Sequence, residues 1–315
     1  MSKGVAAKAP VLSVVLNWNG KRTLVDTIDD LLAQTVSPHH ILVIDNGSTD
    51  GSERLVEGRE RVSVYKLPKN LGFARGNNAL FDWDGKPGFN WRAGWLFISN
   101  NDVRYPVDAI ERLRDAGDAT LDAVSVSPWI AFAEPSVQLW YDGGMVIPWF
   151  GLGSNYNWKH LINGRRYAGE EDGAVVNADF ASGCSVLVPG EYFHTVGGFD
   201  CEYPLYVEDF VLSDNLRKQY SGKCYVVRKV LAFHRVSASS KLGSTKKYEL
   251  RTAAFARWIC HQSILKRLPG LLFLLFWSSL FGAASVHRFS GMRAAMRGWW
   301  IGVKRGKRPI PWENA

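Results

Sequence analysis

Two adjacent carboxylates, Glu208 and Asp209, sit between aromatics in the second half of the chain, and His234 follows twenty-five residues after Asp209. An acidic pair beside Tyr206 and Phe210 suits general-base chemistry. Partial burial and a like-charged neighbour raise a carboxyl pKa toward the range in which it takes a proton from a hydroxyl. Neighbouring residues on a helix point about 100° apart. One carboxylate can therefore face a substrate while the other accepts backbone N–H bonds, and a plain acidic first turn is the alternative. Asp102 closes the apolar run Trp95–Ser99 through Asn100 and Asn101. A carboxylate there can hold Mg2+ or Mn2+ against a diphosphate, since these hard ions take oxygen ligands. Asn100 occupies the place of the first carboxylate in an Asp-x-Asp triplet, leaving one strong ligand, and a cap before Pro106 is the other reading. His234 ends the apolar run VVRKVLAF and is a metal ligand, a diphosphate contact or a core histidine.

The elements that must position these groups follow a repeating pattern. Residues 11–16 are apolar and β-branched and end at the polar turn 17–20. Leu24, Ile28, Leu31 and Leu32 then recur at helical spacing. A second short strand, 41–44, closes on Asp45-Asn46-Gly47-Ser48-Thr49-Asp50, where Gly47 permits a tight bend and Asp50 caps a helix from Ser52. A strand at 62–65, a Gly- and Asn-rich turn at 70–76, a strand at 93–99 and a helix from Pro106 to Leu113 follow. Strand, turn and helix with short connections predict an α/β fold with a largely parallel sheet, whose ligands sit at the carboxyl ends of the strands. Four polar loops fall there: 17–20, 45–51, 70–78 and 100–102. They offer Asn17, Asn19, Asp45, Asn46, Ser48, Arg75, Asn78, Asn101 and Asp102 as ligand-binding candidates. Arg75 is the only cation of its loop and could meet a diphosphate. Residues 124–176 are less regular, with Trp129, Trp140, Trp149 and Trp158 as candidate sugar platforms. A strand over 178–189, a turn at 194–200, a helix over 208–219 and strands over 223–233 complete this half.

Composition narrows the class. The 315 residues are 46% hydrophobic and 22% charged, which is globular composition. Cys184, Cys201, Cys224 and Cys260 form no CxxC pair, so structural zinc and a disulfide framework are not expected, and Cys184 has no His partner by spacing. The phosphate loop GxxxxGK[ST] and the GxGxxG fingerprint are both absent, which removes support for ATPases, GTPases and dinucleotide enzymes. The run 11–16 is too short for a signal-peptide core. The net charge of +8 belongs to the end of the chain: residues 257–308 hold ten Lys or Arg and no acidic residue. Within them, 268–286 is a nineteen-residue uncharged stretch containing Pro269. The stretch is expected to span, dip into or lie on a membrane, with Trp299 and Trp300 in an anionic headgroup layer. A helical core or dimer surface, and hence a homo-oligomer, is the alternative. Cations flanking an apolar run suit lipid, so nucleic acid is not expected as a partner.

The segments VVLNWNG, VIDNGSTDG, NLGFARGNN, ISNND and SGCSVLVPGEYFHTVGGFDCEYPLYVEDF resemble, in order, those of family 2 glycosyltransferases of GT-A fold, especially bacterial rhamnosyltransferase-like members. The resemblance spans residues 11 to about 235. It implies a mixed, mostly parallel sheet flanked by helices, and a catalytic domain over 1–250 with a nucleotide-sugar half at about 10–120 and an acceptor half at about 121–250. A basic, apolar helical region over 251–315 would associate with membrane. The implied reaction moves a sugar, with inversion, from a dTDP- or UDP-linked donor to a glycan or polyprenyl-linked glycan acceptor, with rhamnose the leading donor sugar. Asn17 and Asp45 would lie against the nucleoside, Asp102 and His234 would hold Mg2+ or Mn2+, and Asp209 would be the base with Glu208 in support. Gly197 to Asp200 would shape the acceptor side. Contact through residues 257–310 would place the enzyme at the cytoplasmic face of the cell membrane. Two departures stand out: Val211 where the family commonly has an Asp, and an Arg that arrives late, as Arg217. They leave a non-catalytic sugar-nucleotide-binding homologue as the competing reading.

Overall fold

The computed structural model describes residues 9–36, 39–83, 85, 89–132, 138–147, 152–155, 175–235, 245–285 and 288–304. Trp149, Trp158 and the end of the basic tail at 305–310 lie outside them. The described strands are β1 (Val11–Asn17), β2 (His39–Asp45), β3 (Val62–Lys66), β4 (Trp95–Asn100), β5 (Val103–Arg104), β6 (Ala123–Phe132), β7 (Leu139–Tyr141), β8 (Met145–Ile147), β9 (Leu152–Ser154), β10 (Val175–Ala178), β11 (Ser185–Pro189) and β12 (Lys223–His234). The helices are α1 (Leu24–Leu32), α2 (Gly72–Asn78), α3 (Ala109–Ala119), α4 (Gly190–Thr195), α5 (Glu208–Tyr220), α6 (Thr245–Cys260), α7 (Ile264–Ser285) and α8 (Arg288–Lys304).

Ten strands form one mixed sheet in the order β10-β12-β6-β11-β4-β1-β2-β3, with β5 added to β12 and β7 to β6. The β4-β1-β2-β3 portion is wholly parallel. Its strands are β-branched and leucine-rich because both faces are covered. Val11 and Val15 enter one buried cluster with Leu24, Ile28 and Leu31 of α1. Leu12 and Val14 point the other way, into a second cluster with Ala74, Phe193 and Phe199. β11 runs antiparallel to β4, and β12 runs parallel to β6. The order places Asn17 opposite Asp45 and Leu16 opposite Asn100, so the polar strand ends gather at one edge. β5 then pairs antiparallel with the end of β12, setting Val103 opposite His234.

Several elements differ from the sequence expectation. The loop at 70–76 is largely helix α2, because Phe73 N–H donates 2.8 Å to the distant Pro204 carbonyl and seats its first turn. The expected helix from Ser52 is one 3-10 turn, Ser52–Leu55. The helix expected from Pro106 begins at Ala109. The strand expected over 178–189 is divided into β10 and β11, and the turn at 194–200 is preceded by α4. The region after 124 opens with the ten-residue β6, buried within the sheet.

The C-terminal helices pack onto this body. α6 runs across the 250/251 position and buries Leu250, Ala254, Phe255 and Ile259 in the same cluster as β1 and α1. Arg257 of α6 is wholly buried and grips the Glu202 carboxylate, while His261 Nδ1 lies 2.9 Å from Tyr203 Oη. α8 approaches α6 backbone to backbone: a Cβ on Gly298 would stand 2.1 Å from the Glu249 carbonyl oxygen. Trp299 Nε1 donates 2.9 Å to Leu271 O, fixing α7 onto α8. Among the described residues no helix is long and apolar enough to cross a membrane. Gly298→Val should unseat α8 and lower stability by about 1–3 kcal/mol, the usual cost of overpacking. Urea unfolding measures this, and an unchanged midpoint would contradict the close approach.

Candidate active site

Asn17 is the hub of the strand ends. Its buried Nδ2 donates to Asp45 Oδ1 at 2.9 Å and Ser52 Oγ at 2.8 Å, and more weakly to Ser48 Oγ at 3.2 Å. Asn101 Nδ2 donates to Asn17 Oδ1 at 2.8 Å. Asp45 Oδ2 accepts from Ser48 N at 3.1 Å, closing the Asx turn around Gly47. Asn19 Oδ1 accepts from Thr49 N at 2.8 Å, locking the loop after β1 to the loop after β2. Asp50 accepts from Ser52 N at 3.0 Å, but the cap position itself is Gly51 with positive φ, so Asp50 closes a turn before the 3-10 segment rather than capping a helix. Asn17, Asn19, Asp45, Ser48 and Asn101 are therefore one connected rim.

Two other candidates turn inward as staples. Asn46 donates to Gly72 O and Asn70 Oδ1, each at 3.1 Å, and accepts from Leu71 N at 2.8 Å. Asn78 clasps Phe199 from both sides: Nδ2 donates 2.7 Å to its carbonyl, and Oδ1 accepts 2.9 Å from its N–H. That clasp fixes the turn in which Gly197 and Gly198 both have positive φ, so α2 holds the segment expected on the acceptor side. Arg75 is exposed on α2, with no ion pair among the described residues.

Asp102 and His234 are both buried, and His234 Nε2 lies 3.1 Å from Asp102 Oδ1. The pair meets as an ion-pair contact, and that buried oxygen has no hydrogen-bond donor among the described residues. Arg235 N donates to the Asp102 carbonyl at 2.9 Å, and the Trp140 ring stands edge-on to His234 at 4.8 Å. Burial by itself would lower the His234 pKa, but Cys184 and Asp102 beside it hold it well above the ordinary value. Asp102 is the effective partner, because burial also keeps the Cys184 thiol protonated. Two ligands at right angles on an ion with bonds of ~2.1 Å stand ~3 Å apart, so the bare carboxylate oxygen and the imidazole fit a hard divalent ion. No group of three or more His, Cys, Asp and Glu that could hold a metal occurs among the described residues.

Cys184 supplies the link that spacing did not reveal. It is buried, adjoins His234, and lies within electrostatic reach of both Asp102 and Asp209. The carboxylates from the two halves of the chain thus flank one thiol. Asp209 is half-buried in the first turn of α5. Its Oδ1 accepts from Phe210 N at 3.0 Å, and Oδ2 makes a long 3.5 Å contact with Gly183 N. Glu208 is buried, and its Oε2 has no hydrogen-bond partner. Both members of the half-exposed and buried pair differ from the division of labour the sequence suggested: Asp209 takes the backbone bonds and also keeps the open side. Burial pushes the Asp209 pKa up to about 6, against the lowering effect of its backbone bonds. Burial first, then the Asp209 charge, pushes Glu208 well above its usual range.

The turn that aims this pair is strained. Tyr206 and Val207 have φ of 66° and 70°. For a β-branched residue that is a true outlier, costing on the order of 1–3 kcal/mol. Val211 packs against the core, and its N–H donates 3.0 Å to Val207 O. Arg217 reaches back to the Asp179 carbonyl at 2.8 Å. Both departures from the family pattern thus have structural work on α5. Sequence reasoning gave no role to Gly183 or to the Asn78–Phe199 clasp, and no local pattern marks either.

The profile of "Glycosyl transferase family 2" matches residues 13–177. An N-acetylglucosaminyl-diphospho-decaprenol L-rhamnosyltransferase of Mycobacterium tuberculosis is 28% identical over 218 residues, covering 66% of this chain and 70% of the relative. Among solved structures, GalNAc-T7 with UDP, GalNAc and Mn2+ aligns with a TM-score of 0.62 at 14% identity, over 94% of this chain; the chain spans 54% of that protein's chain. S. aureus TarS residues 1–349 with UDP-GlcNAc aligns at 0.51 and 14% identity, over 85% of this chain and 72% of that one. At these identities the likeness shows the fold, a GT-A-like mixed sheet flanked by helices.

The acidic pair makes a prediction for stability. The folded-state pKa of Asp209 is raised from 3.8 to about 6, so the favourable contribution is complete below the unfolded value and is lost as pH rises through the folded one. Asp209→Asn removes that loss. Its thermal midpoint should gain on the parent between pH ~4 and pH ~7. A difference independent of pH, measured by thermal unfolding, would contradict the burial of this carboxyl.

Proposed function

The chain belongs to glycosyl transferase family 2, and from that premise we propose that it transfers a sugar from a nucleotide-diphosphate donor to an acceptor hydroxyl by single displacement, with inversion. The protein is a glycosyltransferase. The observation that carries the mechanism is the gathering of Asp102, His234 and Asp209 around Cys184.

The rim built on Asn17 and Asp45 receives the nucleoside, with Asn19, Ser48 and Asn101 keeping its loops in place. Arg75, exposed on α2 and without an ion pair among the described residues, is available to the diphosphate. Asp102 and His234 would hold Mg2+ or Mn2+, which when bound supplies positive charge opposite the leaving diphosphate. The acceptor hydroxyl sits against Asp209, which takes its proton as the new bond to the anomeric carbon forms. The bond to the diphosphate oxygen breaks on the opposite face, and the nucleoside diphosphate departs. Burial and the neighbouring Asp209 charge bias Glu208 toward its protonated form, which lowers the charge the pair must carry. Trp140, next to His234, is placed to border the sugar.

The mycobacterial relative is a rhamnosyltransferase acting on an N-acetylglucosaminyl-diphospho-decaprenol. That supports rhamnose on dTDP or UDP as the donor, and a polyprenyl-diphosphate-linked glycan as the acceptor. Such an acceptor places the enzyme peripherally at the cytoplasmic face of the cell membrane, with its C-terminal helices toward the lipid.

Asp209→Asn should retain donor binding, measured by calorimetry, while transfer falls by ~10²–10⁴-fold, the range for a lost general base. The acid limb of kcat/KM in the parent should lie near the Asp209 pKa of about 6. Glu208→Gln, which mimics the neutral side chain, should keep that limb. Normal turnover in Asp209→Asn would remove Asp209 from the role of base.

A further inference from the structure

α7 carries an apolar stripe that no other element among the described residues covers. Leu265, Leu268, Leu272, Phe276 and Leu280 recur at intervals of three and four, and each is more than half exposed. The opposite side of the helix is committed: Leu271 and Leu274 are buried, and the Leu271 carbonyl accepts the Trp299 N–H. α8 shows a mixed stripe at the same spacing, Phe289, Arg293, Met296, Trp300 and Lys304. The Lys304 ammonium stands 5.4 Å from the Trp300 ring centroid. Scattered exposed leucines are normal, but continuous stripes on adjacent packed helices are the mark of an interaction surface.

The charges select the occupant. Residues 257–308 contain ten Lys or Arg and no Asp or Glu, and Arg267, Arg293, Arg297 and Lys304 are exposed on these two helices. Apolar side chains rimmed by an excess of cations match an anionic headgroup layer, where the apolar side enters the acyl boundary and each nearby cation adds attraction. A second copy of the same face would bring cations against cations. We infer that the outer face of α7 and α8 is a docking surface for an anionic lipid membrane, on which α7 lies flat.

The position of this face deepens the reading of a lipid-borne acceptor and rests on it for its orientation. The stripe begins four residues after His261, whose ring meets Tyr203, and eight after Arg257, which grips Glu202. Those contacts tie the start of α7 to the segment that leads into Glu208 and Asp209. A membrane under α7 therefore lies beside the acceptor turn, and a lipid-linked hydroxyl would reach Asp209 from that side.

The test uses the full chain with sedimented vesicles of phosphatidylcholine alone or with phosphatidylglycerol. The parent should bind the anionic vesicles at least tenfold more tightly than the neutral ones. Leu268→Glu/Leu272→Glu/Phe276→Glu should lose at least tenfold of that binding, while its thermal midpoint and donor binding stay unchanged. Should the triple variant unfold, Leu265→Gln/Leu272→Gln is measured instead, with a severalfold loss expected. Undiminished vesicle binding in a folded variant overturns the proposal, as does a parent that ignores anionic vesicles. A parent that sediments as a dimer which the same substitutions dissociate, without vesicle binding, assigns the face to a second copy and also overturns it. Vesicle binding is read without turnover, so a failure of the proposed transfer reaction would leave this result standing, and the reverse.

Discussion

Asp102 and His234 approach to 3.1 Å where water scarcely reaches, and the architecture is arranged around bringing them there. One follows β4 in the first half of the chain, and the other ends β12 in the second. The short β5 makes the join by pairing with β12, and Arg235 N–H holds the Asp102 carbonyl. Burying a carboxylate costs several kcal/mol of lost hydration. The adjacent His234 offsets part of that, and Asp102 Oδ1 is left among the buried oxygens that no donor in the described residues satisfies. A site that leaves a buried hard oxygen unpartnered is suited to a cation brought by the substrate.

A second tension lies at Asp209. The chain enters α5 through two left-handed residues, Tyr206 and Val207, and the helix starts with two carboxyls that burial pushes toward the protonated form. Neither feature favours folding. Both persist because the preceding segment is held from two sides: α2 takes the Pro204 carbonyl on its first turn, while α6 grips Glu202 and Tyr203 through Arg257 and His261. The C-terminal helices therefore brace the turn that carries Glu208 and Asp209. Stability given up at one turn is recovered in the packing around it, as expected where geometry serves a reaction.

The strand ends were legible in the sequence because apolar runs stopping at Asn17, Asp45 and Asn100 carry a local signal, and the parallel order follows from short connections. Asp102, Asp209 and His234 stood out as candidates by type and context. Other features depended on partners far along the chain. α2 reads as a turn from its Gly and Asn content and becomes a helix through Pro204. Cys184 meets His234 fifty residues away, which no spacing rule reveals. Asn46 and Asn78 look like ligand-binding amides in sequence, yet their side chains bind the backbone of neighbouring loops. The apolar segment of α7 was visible by composition, whereas its division into a buried and an exposed side comes from α8.

The most direct measurement on the site is Mn2+ binding followed by electron paramagnetic resonance, with UDP or dTDP present, in the parent and in His234→Ala. Asp102 and His234 together with a diphosphate should bind the ion tightly in the parent, and the variant should lose at least tenfold in affinity while still binding nucleotide. Equal Mn2+ affinity in both proteins would contradict the assignment of this pair as the metal-holding centre.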